Sequence, residues 1–474
     1  MEKLLQFFQT VNSYLTDYVL IILLVGVGLL FTIRTRFVQV RFFKKGIKQV
    51  FGNLSLKGGK HKSGMSSFQA FATAVAAQVG TGNIVGACGA ILVGGPGAIF
   101  WMWVIAFFGM ATIYAEAVLA QKTKQVNSDG SIAGGPVYYI KKAFKGGFGK
   151  FLAIFFAVAT ILALGFMGSM VQSNSIASAV NGATNIPTWV VGLIVAIIAS
   201  IIFIGGINRL ASVTEKIVPI MAVIYLLGGL IVILSRFTLI PQAFALIFKY
   251  AFNPTAILGG TVGAAIKKAM SQGAKRGLFS NEAGMGSTPH AHAQANVEKA
   301  HDQGTSAMIG VFFDTFVVLT MTALIVITTL YAGNGMLSAG VIPEGVTKNN
   351  LVQHAISSIF ASQDVGFKIG SIFVALCLFF FAFSTILSWN LFGKINFEYL
   401  FGKKSALIYS IISIAFVFVG SFLSSDLVWE LTDTFNYLMV LPNAIALIAL
   451  SNLVVKEVND NSPRKQIEKR IKQR

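Results

Sequence analysis

One apolar stretch of this chain is interrupted midway by the sequence Gln78-Val79-Gly80-Thr81-Gly82-Asn83-Ile84-Val85-Gly86. A helix inside a bilayer has no water to satisfy free backbone groups, so glycines and polar residues at that depth are costly unless they are used. An unwound helix offers N–H groups to an anion and carbonyl oxygens to a cation, which is typical of binding sites in transporters. Small residues also allow close helix packing, but the accompanying Asn and Thr favour a binding site.

Composition places the rest of the chain in the same environment. Of its 474 residues, 55% are hydrophobic and only 12% are charged, whereas soluble domains carry about 25% charged residues. The chain is therefore predicted to be a polytopic membrane protein. Its net charge of +19 lies in loops, which indicates topology and not nucleic-acid binding. Cys88 and Cys377 lie inside apolar runs and indicate neither a disulfide framework nor a metal site.

Apolar stretches of about twenty residues, the length that spans a bilayer, recur along the whole sequence. The first lacks a cleavage site of small residues, so we expect it to remain as a helix. Eleven spans are predicted, at 17–34, 66–92, 97–120, 151–175, 188–206, 211–235, 256–285, 305–331, 366–392, 405–424 and 427–452.

The distribution of Lys and Arg predicts the orientation of these spans. The loop 34–64 carries nine basic residues and no acidic one, and the loop 121–150 and the tail 456–474 are also basic. On the opposite side, residues 176–187 carry no charge. We therefore predict a multi-pass protein of the cell membrane with its N-terminus outside and its C-terminus in the cytoplasm.

The spans divide into two sets of five after an extra N-terminal helix. Both sets begin with a span interrupted by glycine, at 80–83 and at 281–286, and an odd number of spans gives the halves opposite orientations. Paired broken helices in inverted halves indicate a binding site near the middle of the membrane. The predicted units are 1–64 (peripheral helix and basic loop), 65–236 and 237–455 (the two repeats) and 456–474 (basic tail). The segment 347–362 is too short to span and would suit an external lid helix.

Three blocks of the sequence closely resemble the alanine or glycine:cation symporter family. They are Gly94-Gly95-Pro96-Gly97-Ala98-Ile99-Phe100-Trp101-Met102-Trp103 with its continuation to Gly109, the interruption 78–86, and the block 276–287 that begins Arg276-Gly277-Leu278-Phe279-Ser280-Asn281. The resemblance implies an all-α, leucine-transporter-like fold, with a 5+5 inverted repeat, broken first and sixth core helices and one additional N-terminal helix.

The same resemblance implies a substrate site at the two breaks. It assigns substrate contacts to Thr81, Gly82 and Asn83 at the first break and to Phe279, Ser280 and Gly284 at the second. Gln172 and Asn174 lie in the outer half of the fourth span and are expected to face the site. Phe279 and Trp389 would wall a small side-chain pocket that favours Gly or Ala, although ordinary packing remains an alternative in a chain with 41 Phe.

The resemblance also implies a sodium site. Ser384 and Thr385 interrupt an apolar run, and hydroxyls there often donate to a carbonyl of their own helix. In the family's fold they would instead join the carbonyls of Ala76 and Val79 in an all-oxygen site, which suits a hard cation such as Na⁺.

Carboxylates within membrane spans are costly and are by default functional. Glu116 lies near a helix end and is compatible with snorkelling, Glu282 is expected to cap backbone N–H groups or to pair with Lys275 or Arg276, and Asp314 lies in the eighth span. The pair His290 and His292 is a weak metal signal.

These observations predict a secondary active transporter, and no enzyme, that couples Na⁺ entry to uptake of alanine or glycine by alternating access. Na⁺ is the only cofactor expected, the bilayer is the surrounding partner, nucleic acid is not a partner, and a monomer is assumed. A proton-coupled symporter using Glu282 or Asp314 is the nearest alternative. An ion channel is a second alternative, although no filter-like loop is present. A membrane enzyme is disfavoured because the spans contain no zinc-binding or nucleophile motif.

Overall fold

The protein is described by a computed structural model over residues 2–52, 64–128, 130–253 and 262–461. The described chain consists of helices joined by turns and loops, with one short hairpin and an isolated bridge between Met65 and Ala295. Its helices are α1 (Glu2–Arg34), α2 (Val38–Arg41), α3 (Phe43–Gly52), α4 (Ser67–Gln78), α5 (Gly82–Gly94), α6 (Gly97–Thr123), α7 (Pro136–Ala143), α8 (Gly146–Thr184), α9 (Thr188–Ile204), α10 (Gly206–Ser235), α11 (Phe237–Phe252), α12 (Val262–Asn281), α13 (Pro289–Gln294), α14 (Ala300–Tyr331), α15 (Leu351–Ser357), α16 (Gln363–Phe401), α17 (Lys403–Gly420), α18 (Ser425–Ala449) and α19 (Ser451–Asp460). The antiparallel hairpin pairs β1 (Gln125–Val126) with β2 (Ile132–Ala133).

Each predicted span corresponds to a helix or, for 66–92, to two helices, although residues 256–261 of the span 256–285 lie outside the described residues. Eight helices there are long and apolar enough to cross a membrane, and the pair α4 and α5 forms a ninth span with a break. Two predicted spans fall outside that count for physical reasons. The apolar helix α9 is only 17 residues long, and α12 carries Lys267, Lys268, Lys275 and Arg276 among its 20 residues. The prediction of an all-α polytopic protein is confirmed.

The first break contains Gly80, Thr81 and Gly82, and glycine is unfavourable inside a helix. α4 begins with a capping box in which the Ser66 hydroxyl accepts from the Gln69 N–H and the Gln69 side chain accepts from the Ser66 N–H. The helix ends at Gln78, since Val79 has ψ of 87°. After Gly80 and Thr81 the chain becomes helical again as α5, and the two halves are bent by 44°.

The second break follows α12. Glu282 adopts a left-handed conformation with φ of 58°, and Gly284 and Gly286 have φ of 90° and 82°. Side chains other than glycine rarely adopt such values, so the strained Glu282 marks this turn as a place where function is expected. The chain resumes as the short helix α13. Both predicted breaks are therefore present.

The remaining helices enclose the two broken ones. α6 packs against α12 and α14, and α8 packs against α16, while α1 lies against α6 and α18. α1 begins at Glu2, well before the predicted start of its span at residue 17. Its first turns are helical but not strongly apolar, so a search for apolar runs does not find them. The predicted lid segment contains α15, whose residues are mostly buried against α16. The boundaries of the two repeats remain a prediction.

Candidate functional site

The first break presents two backbone N–H groups to side-chain oxygens. The Gly80 N–H donates to Asn83 Oδ1 over 3.0 Å, and the Thr81 N–H donates to Gln172 Oε1 over 3.2 Å. Thr81, Asn83 and Gln172 are fully buried. Neutral amide oxygens thus occupy positions that a carboxylate oxygen would also fill, as expected for donors freed by an unwound helix.

Two buried polar atoms of the same residues have no hydrogen-bond partner in the part of the chain that the structure describes. They are the Thr81 hydroxyl oxygen and the Gln172 amide nitrogen. Leaving such groups unpaired in the interior costs about 1–3 kcal/mol each. Because Thr81 and Gln172 are hydrogen-bonded neighbours, their two unpartnered donors indicate a place for an acceptor that the described residues do not supply. Asn174 does not join them, since its amide donates to the carbonyls of Gly420 and Leu423 at 3.0 and 2.9 Å.

The two breaks are in direct contact. The Gln78 side-chain amide donates to the Asn281 carbonyl over 2.8 Å. The last residue of α4 thus supplies a hydrogen bond to the free backbone carbonyl at the end of α12. A Cβ added to Gly82 would lie 3.0 Å from the Ser280 Cα and 3.1 Å from Phe279 Cδ1. Gly82 therefore sets the close approach of the two helices, because any larger residue would push them apart.

One carboxylate links both breaks. Asp314 Oδ1 accepts from the Asn83 amide at 2.6 Å, and its two oxygens accept from the Ser280 hydroxyl at 3.1 and 2.9 Å. The Thr315 hydroxyl adds a further donor at 2.8 Å. Within the described residues, no basic side chain pairs with Asp314, which is fully buried. A buried carboxylate surrounded only by neutral donors lacks a compensating charge.

Aromatic rings form one wall beside Gly82. The Phe279 ring lies 5.8 Å from that of Trp389, edge to face, and 4.6 Å from that of Trp429. Trp389 is buried, and its indole N–H donates to Glu282 Oε1 over 2.5 Å. The two rings predicted to wall the pocket are thus adjacent, and Trp429 is a third ring that the sequence analysis missed.

The hydroxyls of α16 point in different directions. Thr385 Oγ1 donates to the Ala76 carbonyl over 2.8 Å and lies 3.0 Å from the Phe381 carbonyl. The Ser384 hydroxyl donates to the Phe381 carbonyl of its own helix at 2.9 Å and lies 3.6 Å from Met221 Sδ. The structure therefore brings Thr385 to the end of α4, near Val79, while Ser384 faces α10.

Gly284 lies apart from the other predicted contacts. Its N–H and that of Gly286 donate to the two oxygens of Glu116 at 3.2 and 3.0 Å. Asn443 adds an amide donor to the same carboxylate at 2.6 Å and donates to the Gly284 carbonyl at 2.8 Å. Glu116 is completely buried, so it does not snorkel; instead, it holds the turn of the second break.

The basic residues near the second break pair elsewhere. Lys275 and Arg276 contact Asp433 at 2.9 and 3.2 Å. The pairing of either residue with Glu282, one of the two roles expected for Glu282, is therefore not found. Glu282 accepts from Trp389 and from the Ser287 hydroxyl. Asp433 and Glu430 lie inside the last predicted span, and the cost of carboxylates within a membrane was the signal that would have found them.

The histidines do not form a metal site. His290 donates from Nδ1 to the Ser287 carbonyl and accepts at Nε2 from the Asn396 amide, while His292 Nδ1 contacts the Gln303 amide. Burial lowers the pKa of His290 to about 4 and that of His292 to about 3. In the described part of the chain, no three His, Cys, Asp or Glu side chains are grouped so as to hold a metal ion.

Comparisons with known proteins bear on the whole chain. The model of the sodium:alanine symporter family matches residues 1–474. The sodium/alanine symporter AgcS of Methanococcus maripaludis is 40% identical over 450 residues, which cover 94% of this chain and 95% of AgcS. The amino-acid carrier protein AlsT of Bacillus subtilis is 38% identical over 465 residues, covering 96% of this chain and 92% of AlsT.

A solved structure supports the fold independently. A mutant form of the manganese transporter of Eremococcus coleocola covers 82% of this chain, with 78% of its own chain matched, at a TM-score of 0.52 and 14% identity. At that identity the likeness concerns the fold alone. The leucine-transporter-like fold predicted from the sequence is confirmed.

Proposed function

Because this chain belongs to the sodium:alanine symporter family, we propose that it couples the inward movement of Na⁺ to the uptake of a small neutral amino acid, alanine or glycine, by alternating access. The protein is a transporter and not an enzyme. The side that carries the basic loops 34–64 and 121–150 and the basic tail 456–474, the basic face, is proposed to be cytoplasmic, with the N-terminus outside.

The observation that carries the proposal is the set of donors at the first break. The unpartnered Thr81 hydroxyl and Gln172 amide nitrogen lie beside the N–H groups of Gly80 and Thr81. A substrate carboxylate that takes this position would accept from several of them at once, and hydrogen bonds to an ionised acceptor are the stronger kind. Among the described residues, no carboxylate accepts from any of these four donors.

Space at the site favours a small side chain. Gly82 backs directly onto Ser280 and Phe279, and the rings of Phe279, Trp389 and Trp429 are packed edge to face or tilted against one another. A branched substrate would have to displace one of these rings, whereas a hydrogen or a methyl group would not. Glu282, which is held by Trp389 near the same wall, is a candidate counter-charge for the substrate ammonium.

The coupling ion is proposed to bind between α4 and α16. Thr385 Oγ1 and the Ala76 carbonyl are 2.8 Å apart. Val79, three residues further along, is the C-cap of the same helix α4. Inserting Na⁺ would replace the Thr385 donation by shared coordination to oxygen atoms. Ser384, which faces α10 here, would become a further ligand only if it turned toward α4. Each charge that enters through 100 mV contributes about 2.3 kcal/mol, enough to concentrate substrate more than tenfold.

A proton is the alternative coupling ion, and Asp314 is the observation that favours it. A carboxylate that touches Asn83 and Ser280 without a basic partner must be neutralised by H⁺ or by a metal cation during transport. If H⁺ is carried there, substitution Asp314→Asn should mimic the loaded state, so substrate would still exchange but no longer accumulate.

The test is uptake of labelled alanine into proteoliposomes with separately imposed gradients. A Na⁺ gradient at equal pH should drive accumulation above equilibrium, and a pH gradient in choline buffer should not. Accumulation driven by the pH gradient alone would instead favour proton coupling through Asp314. Conduction of Na⁺ without saturable alanine accumulation would contradict symport and favour a channel.

A further inference from the structure

An apolar groove lies on the outside of the helix bundle, next to the basic face. It encloses a volume of about 280 Å³, and all twelve of its lining residues are hydrophobic. Four helices form its walls. The lining includes Phe51 of α3, Phe68 and Phe71 of α4, Ala222 of α10 and Phe313 of α14. The groove is open laterally, since Val223 and Phe51 are 55% and 52% exposed.

The helix α3 places positive charges at one end of this groove. Lys44, Lys48 and Phe51 are separated by four and three residues, so they share one face of the helix. Lys44 and Lys48 are exposed, whereas Lys45 pairs with Asp302 at 2.8 Å. Within the described residues, neither Lys44 nor Lys48 has an acidic side chain at ion-pair distance. Phe51, which lines the groove, therefore lies on the same face of α3 as Lys44 and Lys48.

We propose that this groove is a binding site for one anionic phospholipid, with an acyl chain between α4, α10 and α14 and the headgroup at Lys44 and Lys48. The lining is apolar throughout, as an acyl chain requires, and basic side chains at a membrane surface attract anionic headgroups. Neutral lipid would fill the same groove without the second contact. The charge of the headgroup therefore distinguishes this site from ordinary contact with the bilayer.

The position of the groove relates the lipid to transport. Val75 lines the groove directly before Ala76, and Phe313 lines it directly before Asp314. An acyl chain in the groove would thus support the outer faces of both helices that carry candidate ion ligands. Lipid binding itself does not depend on the proposed function; only its effect on uptake does.

Native mass spectrometry of the purified full chain tests the binding. The probes are dioleoyl phosphatidylglycerol and dioleoyl phosphatidylcholine at equal concentration. One phosphatidylglycerol should be retained preferentially. Each lysine at an anionic surface contributes about fivefold in affinity, so the double variant Lys44→Gln and Lys48→Gln should lose roughly 25-fold. Ala222→Phe, which fills the groove, should reduce retention of both lipids at this site.

Matched variants separate the site from general effects of charge and size. Lys142→Gln with Lys150→Gln removes two exposed lysines elsewhere on the basic face, and Ile231→Phe enlarges an exposed residue of α10 outside the groove. Both should retain phosphatidylglycerol as the unmodified chain does. Equal retention of the two lipids by the unmodified chain, or equal losses in the target and control variants, would overturn the proposal, whatever the outcome of the uptake assay.

Discussion

At the scale of single residues, Gly82 carries the sharpest constraint, because its α-carbon faces the backbone of Ser280. We predict that Gly82→Leu abolishes alanine uptake while the protein still inserts and remains monodisperse. Gly26→Leu is the matched control, since a Cβ at Gly26 meets nothing within 4 Å. Uptake and size-exclusion profiles would be compared. Normal uptake by a well-folded Gly82→Leu protein would show that substrate does not pass this contact.

The two hydroxyls of α16 should differ in their effect on Na⁺. Thr385 contacts Ala76 across the helix interface, whereas Ser384 donates to its own helix. Thr385→Val keeps the shape and removes the oxygen, so the Na⁺ concentration for half-maximal uptake should rise roughly tenfold. Ser384→Ala should have a smaller effect. Excess Na⁺ should restore alanine binding to Thr385→Val, which a folding defect would not allow.

Trp389 is predicted to limit the size of the substrate. Trp389→Ala removes a wall next to Phe279 and should lower alanine affinity while allowing valine or leucine to compete. Trp389→Phe keeps most of the ring but loses the N–H that donates to Glu282, and thus separates pocket volume from that hydrogen bond. Competition assays measure both. An unchanged inhibitor profile in Trp389→Ala would place the size limit at other residues.

At the scale of elements, the second break depends on a carboxylate from a neighbouring helix. Glu116 accepts from the N–H groups of Gly284 and Gly286, and both glycines have positive φ. Glu116→Gln replaces one acceptor by a donor facing an N–H, at a cost of about 1–3 kcal/mol. We predict that alanine affinity falls at least tenfold, since the altered turn adjoins Glu282 and Trp389.

A control variant separates this effect from the general loss of a buried carboxylate. Glu215→Gln on α10 is suitable, because Glu215 is also buried and accepts from Gln69 at 3.1 Å, on an element apart from the second break. Thermal stability and alanine affinity would be measured for both variants. If Glu215→Gln lowers alanine affinity as strongly as Glu116→Gln, the break is not held specifically by Glu116.

Ion pairs also connect elements around Trp429, whose ring lies below both Arg276 and Lys348. Arg276 contacts Asp433 and lies 4.6 Å above the Trp429 ring, and Lys348 pairs with Asp426 at 2.9 Å. Burial lowers the pKa of Lys348 despite this partner. The Arg276–Asp433 contact therefore joins α12 to α18, and the Lys348–Asp426 pair joins the segment before α15 to the same helix α18.

At the scale of the whole molecule, two ligands that bind one fold must be coupled reciprocally. Both proposed sites lie at the first break, at Ala76 near the end of α4 and at Gly82, where α5 begins. We predict that alanine raises the unfolding temperature of the purified protein strongly in Na⁺ and hardly in choline. Na⁺ should in turn bind more tightly in the presence of alanine. Equal thermal shifts in both buffers would contradict coupling through Na⁺.

The sequence by itself determined the features that depend on local chemistry. The length of each apolar run predicted its helix, the glycines at 80–82 and 284–286 predicted both breaks, and the family blocks predicted the fold. Such features are readable because apolar length and backbone freedom act within a few residues along the chain. The candidate residues Thr81, Gly82, Phe279 and Trp389 came from the family resemblance and Gln172 from its place in the fourth span, and their roles remain predictions.

Only the tertiary structure decided which side chains meet. It placed Asp314 between Asn83 and Ser280, gave Glu116 to the second break, and turned Ser384 away from Ala76 while its neighbour Thr385 faces it. Consecutive residues of a helix point about 100° apart, and the partners lie up to about 300 residues away in sequence. Direction and partner are therefore set by how whole helices pack, which no local pattern of residues records.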